Sequence, residues 1–563
     1  MFERLVGLGF LHRVAGAHRS DLDHVVQNSK YVHIQGVSSA FLHEVVEVKT
    51  LKGSEAYHEA NTLEPLPRFH LRTIALAGCL LLGFFCQTVN GFDGSLFGGL
   101  TANKTFLAKF DGAPDGPWAA ITSAMYQIGA VSALPFAGPI IDSFGRRMGM
   151  LSGAALIIVG TIINGLTMAN GSNPQLKGGR FVLGFGVTIV SAAGPIYVVE
   201  TAHPAMRSVI TAYCNTFWFV GSILAAGAVR GGLNLTGDIT WALPVWLQLV
   251  FPGLIAVFIW FAPESPRWLY VNGKMAQAKD VLTKWHGYGN PDSAWVKLQL
   301  SEYEEFLELD GADKRWWDYS ALFRSRSSRY RLLCNVVFSI FAQWAGNGVL
   351  TYFLPAVLKT AGYTESVEQA NINLGYACFQ FAFALLGAAF VEKIGRRPMF
   401  LGSMAACTVV WVAMTIASSQ FAASEETNAS AARAMVAMIF LFGMVYSVGL
   451  TPLQALYPVE VLSFEMRAKG MAFSSLAVNA GGLLNQFAWP ISLADIGWKT
   501  YIVFTVWDAI QVVIFYFLLP ETKKRTLEEM DLIFEAKNPV KESLQKKRID
   551  FSAEGQIVAI EKI

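Results

Sequence analysis

The chain has 563 residues, of which 53% are hydrophobic and only 15% are charged. Because soluble domains usually carry about 25% charged residues, this composition excludes an ordinary soluble protein and predicts a membrane protein. The net charge of +2 gives no support to nucleic-acid binding.

Residues 1–72 mix charged and apolar positions, and they lack the short apolar core and cleavage site of a signal peptide. We therefore predict a cytosolic N-terminal extension. Most of the histidines lie in this segment, but their irregular spacing does not fit a metal site. No metal or other cofactor is predicted.

About twelve apolar runs follow, each long enough for a helix to cross the hydrocarbon of a bilayer. They lie at 73–95, 118–141, 148–169, 180–200, 208–229, 241–262, 332–358, 370–391, 398–421, 434–459, 470–493 and 500–519. The sequence thus predicts an all-α polytopic membrane protein. Its parts are two six-helix bundles at 73–262 and 332–519, a cytosolic linker with short helices at 263–331, and a cytosolic tail at 520–563.

Two independent signals indicate which loops face the cytosol. Clusters of Arg and Lys recur in alternate loops, and positive loops stay inside. Sequons for N-glycosylation fall in the other loops, as expected for sites used only outside the cytosol. These glycosylation candidates are Asn103, Asn170, Asn234 and Asn428. Both termini are therefore predicted to be cytosolic.

The two halves repeat the same polar motifs. DSFGRR at 142–147 returns as EKIGRR at 392–397, and YVVETAHPAMR at 197–207 returns as YPVEVLSFEMR at 457–467. PESPRW, which begins at Pro263, returns as PETKKR. Duplicated six-span halves are typical of transporters that rock two bundles around a central site.

The repeated charges predict a cytosolic gate, in which Glu and Arg pair across the two halves. Exposed ion pairs are worth only about 0–1 kcal/mol each, so such a gate could open easily. The alternative is that the charges merely set topology and cap helices. The candidate gate residues are Asp142, Arg146, Arg147, Glu200, Arg207, Glu264, Arg267, Glu392, Arg396, Arg397, Glu460 and Arg467.

In combination, these motifs resemble the sugar porter family of the major facilitator superfamily. The resemblance covers about residues 70–530 and includes both GRR loops, Gly179-Arg180 at the fourth span and PESPRWL after the sixth. It implies the major facilitator fold, with twelve transmembrane helices in two six-helix halves. Because the loops contain no nucleophile elbow, phosphate loop or metal cluster, an enzyme is not predicted.

Two charges inside predicted spans are candidates for coupling, because charged groups in a membrane are costly. Asp93 and Arg180 lie at similar depth, which would permit pairing. The resemblance implies proton coupling, since proton symporters of the family carry Asp at this position. The alternative is a purely structural pair. For Asp508 in the last span, we expect a structural role.

A sugar site needs amides that donate and accept hydrogen bonds, together with aromatic rings. Asn215 stands where the family has a substrate-binding Gln, and Gln343 keeps one of two adjacent Gln of the seventh span. Isolated amides such as Asn479 could equally bond helix to helix. The predicted substrate-binding residues are Asn215, Gln343, Asn347, Tyr352, Gln380, Gln454 and Asn479.

The tenth span departs from the family pattern, because Ala455 stands where a Trp is expected. The WAGNG and LQALYPVEV stretches look more like the fungal lactose-permease-like branch, which includes lactose and cellodextrin carriers. We predict a proton-coupled importer of a disaccharide or a hexose in the plasma membrane. Its partners are then a sugar, the proton and the lipid bilayer. The alternatives are a transporter-like sugar sensor and a facilitator of another polar solute such as a polyol.

Overall fold

The computed structural model describes residues 54–67, 69–310, 320–425, 427–463, 466–523, 525, 527–545, 547–551 and 557–562. The predicted N-terminal extension is therefore described only from Ser54 onwards. Residues 1–53 lie outside the described part of the chain.

Long helices occupy the predicted spans and confirm the all-α polytopic fold class. Spans 1–6 are Leu71–Leu100, Gly116–Phe144, Arg146–Gly165 with Thr167–Asn170, Asn173–Thr201, Arg207–Gly232, and Ile239–Leu247 with Val250–Phe258. Spans 7–12 are Arg326–Trp344 with Asn347–Tyr352 and Leu354–Thr360, Ser366–Ile394, Arg396–Ala423, Ala429–Gly449 with Thr451–Val461, Arg467–Ile496, and Thr500–Leu518.

Ten stretches of the described residues are long and apolar enough to cross a membrane. One of these, Lys469–Leu518, contains both span 11 and span 12. Span 7 is not among the ten, because it is broken into three helices and its first helix begins with several polar residues. The helices are thus consistent with twelve crossings.

Shorter elements lie between and after the spans. The short α-helices are Ser54–Leu63, Lys104–Lys109, Pro266–Val271, Met275–Trp285, Ala294–Asp310, Ser320–Arg324, Leu527–Glu535 and Pro539–Ser543. Single 3-10 turns occupy Pro204–Met206, Ile259–Phe261 and Gly497–Lys499. Near the C-terminus, strands Lys547–Phe551 and Ile557–Lys562 pair antiparallel.

Within each half, small residues let the spans approach closely. A Cβ atom on Gly91 would lie 1.9 Å from the carbonyl oxygen of Trp218, where spans 1 and 5 cross. A Cβ atom on Gly184 would lie equally close to the carbonyl oxygen of Tyr126, where spans 2 and 4 cross. Such close approach is the usual source of helix association in membranes, where lipid is as apolar as the helix surface.

The two halves meet where span 2 contacts span 11 and where span 5 contacts span 8. We call the face that carries Gly145 and Gly395 the inner face, and the opposite one the outer face. Toward the outer face, Arg230 Nε donates to Asn371 Oδ1 at 2.6 Å, between spans 5 and 8. In the outer loops, Lys359 Nζ lies 2.9 Å from Asp115 Oδ2. These contacts join the two halves at the outer face.

On the inner face, the segment before span 1 lies against the linker helices. The Glu64 carboxylate accepts a hydrogen bond from the backbone N–H of Ala294 at 3.2 Å and another from the Ser293 hydroxyl, so it caps the helix Ala294–Asp310. The Glu64 carbonyl accepts from Trp295 Nε1 at 2.8 Å. Tyr57 donates to Glu302 at 2.5 Å. This segment thus ties the start of span 1 to the linker.

Two buried histidines join the linker to the end of span 4. The His203 and His286 rings lie 5.2 Å apart, and the His203 ring lies 4.9 Å from that of Trp295. The His286 ring nitrogens bond to the Thr201 carbonyl and to the Gln299 amide. Burial lowers the pKa of His203 to about 3 and that of His286 to about 4, so both rings are neutral in the folded protein.

Acid should loosen this junction. Because both pKa values are lower in the folded than in the unfolded chain, the histidines' contribution to stability is fully present above about pH 6.5. It is lost progressively as the pH falls towards about 4 and then about 3. We expect the melting temperature of the purified protein to fall between about pH 7 and about pH 5, and His286→Gln to reduce this dependence.

Equal pH dependence in the wild type and His286→Gln would contradict the assignment of acid sensitivity to this junction.

Candidate functional site

At the inner face of the first half, a carboxylate caps the helix of span 3. Gly145 takes a positive φ of 100° between spans 2 and 3, a conformation that favours glycine. Glu264 Oε1 accepts from the backbone N–H groups of Arg146 at 3.1 Å and of Ser265 at 2.9 Å. Burial raises the pKa of the Glu264 carboxyl, while these N–H groups and Arg147 act in the opposite direction. A carboxylate is favoured at this position because unpaired N–H groups and the helix dipole both attract negative charge.

A second carboxylate joins the same helix end to span 4. Arg146 binds Glu200 through two hydrogen bonds, Nε to Oε2 at 2.8 Å and Nη2 to Oε1 at 3.1 Å. The Ser265 hydroxyl also donates to Glu200 Oε2, at 2.5 Å. Arg146 and Glu200 are 12% and 8% exposed, so this is a shielded bidentate pair. Asp142, 73% exposed, adds a weaker contact to Arg146 at 3.1 Å.

The second half contains the corresponding glycine turn, helix cap and arginine–glutamate pair. Gly395 has a φ of 107°, and Glu521 accepts from the backbone N–H groups of Arg396 and Arg397, each at 3.0 Å. Arg396 Nη2 lies 2.6 Å from Glu460 Oε1. The Thr522 hydroxyl donates to Glu460 Oε2 at 2.5 Å, just as Ser265 does to Glu200. We call these two arrangements the inner-face clusters.

The ion pairs of Arg146 and Arg396 lie within a half, so these two arginines do not pair across the halves as predicted. The reason is proximity, because spans 3 and 4, and likewise spans 9 and 10, bring their inner ends together in the same bundle. Arg147 and Arg397 donate instead to the backbone carbonyls of Ile259 and Tyr516.

The remaining candidate gate residues are Arg207, Arg267, Glu392 and Arg467. Arg207 is half-buried, and its Nε has no hydrogen-bond partner among the described residues. Arg267 is half-buried. The side chains of Glu392 and Arg467 lie outside the described part of the structure, although Arg467 begins the helix of span 11. Sequence reasoning missed Glu521, Ser265 and Thr522, although the PES and PET motifs contain them.

The two charges inside the first half are both buried, but they do not pair. Asp93 is 2% exposed, and its Oδ1 accepts from Gln248 Nε2 at 2.8 Å. Its Oδ2 has no hydrogen-bond partner among the described residues. Arg180 donates instead to the carbonyl oxygen of Thr122 at 2.8 Å, and its guanidinium lies 4.1 Å from the centre of the Phe97 ring.

The expected contact between Asp93 and Arg180 is therefore replaced by a neutral donor from span 6. Similar depth was the only basis for the expectation, and depth does not fix the direction in which a side chain points. Gln248 was missed, although an amide inside an apolar span is itself a signal of an internal contact. Asp508 is also fully buried, and neither of its carboxylate oxygens has a partner among the described residues.

The predicted substrate amides of the second half lie on several spans. Gln343 and Tyr352 of span 7 are half-buried, and Asn347 accepts from Thr351 at 3.1 Å. Gln380 donates to the hydroxyl of Tyr376 at 3.1 Å in span 8, and Gln454 donates to the Tyr446 hydroxyl at 2.5 Å in span 10. The Gln343 side chain makes no hydrogen bond with the described residues, so its amide is available to a ligand.

Two further predicted amides lie outside that group. Asn215 of span 5 is exposed. Asn479 Oδ1 of span 11 accepts from Gln127 Nε2 of span 2 at 2.7 Å, across the halves. Gln127 was not among the predicted site residues. Like Gln248, it is an amide within an apolar run, and that isolation is the signal that could have identified it.

The glycosylation candidates differ in their accessibility. Asn103 is only 1% exposed, its amide donates to Thr240 at 3.1 Å, and its oxygen caps the following helix. Burial removes Asn103 from the candidates, because a glycan would displace these contacts. Asn170 and Asn234 are exposed, and Asn428 is half-buried.

The chain is similar to known transporters over most of its length. The family profile described as "Sugar (and other) transporter" matches residues 79–534. The MFS-type transporter oryC of Aspergillus oryzae is 28% identical over 450 residues, covering 78% of this chain and 82% of that protein. A high-affinity glucose transporter of Kluyveromyces lactis is 28% identical over 466 residues, with the same two coverages.

Among solved structures, the fold is similar to the partially occluded inward open conformation of the xylose transporter XylE from E. coli. The TM-score is 0.66 at 16% sequence identity, and the match covers 80% of this chain and 99% of that one.

Within the inner-face cluster of the first half, Glu200 should contribute more to the free energy of unfolding than Asp142 does. Glu200→Ala leaves the shielded guanidinium of Arg146 without its bidentate partner, and we expect a loss of about 3 kcal/mol of unfolding free energy. Asp142→Ala removes an exposed partner of the same arginine and should cost less than about 1 kcal/mol. Unfolding of the purified variants in detergent measures both, and equal losses would contradict the assignment.

Proposed function

The chain belongs to the sugar (and other) transporter family of the major facilitator superfamily, and we propose that it imports a sugar across the plasma membrane together with protons, by alternating access. The observation that carries this proposal is the buried carboxyl of Asp93, which has one oxygen bound by a neutral amide and the other without a partner. Such a group inside a membrane is a functional hypothesis by default.

The geometry around Asp93 supports proton coupling. Gln248 donates to Oδ1, so a proton can bind to Oδ2 without breaking that hydrogen bond. Arg180 is held by the Thr122 carbonyl and the Phe97 ring, so it does not neutralise the carboxylate by direct contact. Movement of the second half against this bundle would change the exposure of Asp93 to water and therefore how strongly it holds a proton, which is the requirement for coupling.

The amides support a neutral, polyhydroxylated substrate. Gln343, Asn215 and Asn479 offer both donors and acceptors, as sugar hydroxyls need. The glucose transporter of Kluyveromyces lactis supports a hexose, and the small Ala455 in place of an indole supports a larger sugar such as a disaccharide. We therefore propose a hexose or a disaccharide as substrate.

The inner-face clusters support rigid inner ends of the two halves, on either side of a cytosolic gate. In this proposal both termini are cytosolic, and the clusters keep the inner ends of each half together while the halves move apart. The gate then opens between two rigid bundles, and the ion pairs inside each bundle persist. This differs from a gate whose ion pairs break at every cycle.

Uptake by intact cells tests the proposal directly. We expect hexose-transport-null yeast expressing the chain to take up labelled glucose, galactose, lactose or cellobiose saturably, and a protonophore to abolish accumulation. Saturable uptake that persists with the protonophore would support an uncoupled facilitator. Absence of uptake of every sugar, with the protein at the cell surface, would contradict import and favour a sensor.

Asp93→Asn separates coupling from binding. The amide cannot exchange a proton, so we expect uphill accumulation to be lost while exchange of labelled for unlabelled sugar continues. Asp508→Asn is the matched control, because it alters another buried carboxyl of the spans, and it should retain accumulation. Full accumulation by Asp93→Asn would rule out Asp93 as the coupling group.

A further inference from the structure

An amide pair bridges the two halves near the middle of spans 2 and 11. Gln127 Nε2 of span 2 donates to Asn479 Oδ1 of span 11 at 2.7 Å, and it lies 3.4 Å from the Asn479 carbonyl oxygen. Asn479 Nδ2 donates to the Ser475 carbonyl of its own helix at 2.8 Å, which orients the side chain. Both amide side chains are half-buried.

The bridge lies further inward than a second polar contact between these spans. One helical turn towards the outer face, the Ser123 hydroxyl donates to Gln486, and both residues are nearly fully buried. Span 2 runs from the outer to the inner face and span 11 runs in the opposite direction, so Gln127 and Asn479 lie further inward than Ser123 and Gln486. The contact thus changes from buried to half-exposed at Gln127.

Gln127 also lies beside the predicted substrate site. Gly481 and Gly482 of span 11 lie between the side chains of Gln127 and Gln343. A Cβ atom on Gly482 would lie 3.3 Å from the Gln127 amide, and one on Gly481 would lie 3.4 Å from Gln343 Cβ. Gln127 and Gln343 therefore flank the same two glycines, from span 2 and span 7.

The Gln127 amide retains hydrogen-bonding capacity after it has bonded to Asn479. An amide side chain can donate two hydrogen bonds and accept two. Both contacts of Gln127 with the described residues use Nε2, and Oε1 accepts from none of them. A half-exposed acceptor at this position can bind a hydroxyl.

We propose that Gln127 is a substrate-contacting residue, in which Oε1 accepts a hydroxyl of a neutral sugar and the substrate takes over part of the bond to Asn479. The bridge closes the halves when the site is empty, and the substrate replaces it when the halves separate. Occupancy of the site is thereby linked to the contact between spans 2 and 11. The sugar as ligand rests on the proposed function, whereas the amide bridge does not.

Kinetics of labelled glucose uptake test this role, with the amount of each variant at the cell surface measured in parallel. We expect Gln127→Ala to raise KM about tenfold, as loss of a substrate hydrogen bond does, and Gln343→Ala to raise it similarly. Gln127→Asn should fall between Gln127→Ala and the wild type. Ser123→Ala breaks the neighbouring bond of the same contact, and it should leave KM within about twofold of the wild-type value.

The outcomes distinguish this inference from the proposed function. An unchanged KM in Gln127→Ala would overturn the inference while leaving sugar transport intact. An equal rise of KM in Ser123→Ala would also overturn it, because the effect would then belong to the contact between the spans. If the wild type transports no sugar, the proposed function fails, and stabilisation of the purified protein against heat by sorbitol, beyond that given by the hydroxyl-free osmolyte trimethylamine N-oxide at the same concentration, decides the inference. Loss of that extra stabilisation in Gln127→Ala would support the inference, and its retention in the variant or its absence from the wild type would overturn it.

Discussion

The structure of the inner face depends on hydrogen bonds between a carboxylate and the start of the third span of each half. Glu264 and Glu521 each follow the last span of their half, and each accepts hydrogen bonds from the backbone of a GRR turn. One side chain therefore joins the ends of three spans. The helix start would otherwise leave N–H groups without an intrahelical partner. The positive φ of the preceding glycine makes the sharp turn possible.

A transporter that rocks two bundles needs strong contacts within each bundle and weaker ones between them. The inner-face clusters supply the first, with bidentate, shielded arginine pairs. Between the halves, the structure describes neutral side-chain hydrogen bonds and exposed ion pairs, such as Gln127 to Asn479 and Lys359 to Asp115. Each of these is worth only about 1 kcal/mol, so a modest change in substrate binding can shift the balance between conformations.

The sequence predicts the spans and the repeat because both depend on properties that run along the chain. Hydropathy and length place the ends of the spans to within seven residues. The GRR motif, the YVVETAHPAMR motif and the PES motif each recur at nearly constant spacing. The partners of Arg146 and Asp93 could not be predicted with the same success. Their choice depends on the rotation of each helix about its axis, which the hydropathy of a fully apolar span does not record. The burial of Asn103 depends on how its loop packs against Thr240, which a sequon does not record either.

Buried polar groups in this bundle divide into those that are satisfied and those that retain an unused atom. Arg180 is satisfied by a carbonyl and an aromatic face, and Glu200 by an arginine and a hydroxyl. Such groups fix the structure, because breaking their contacts would leave a polar atom unpaired in an apolar surrounding. Asp93 Oδ2 and Gln127 Oε1 differ, since each belongs to a side chain held in place through another atom. A side chain anchored at one atom and unoccupied at another is already oriented for a proton or a hydroxyl, and binding then costs little reorganisation.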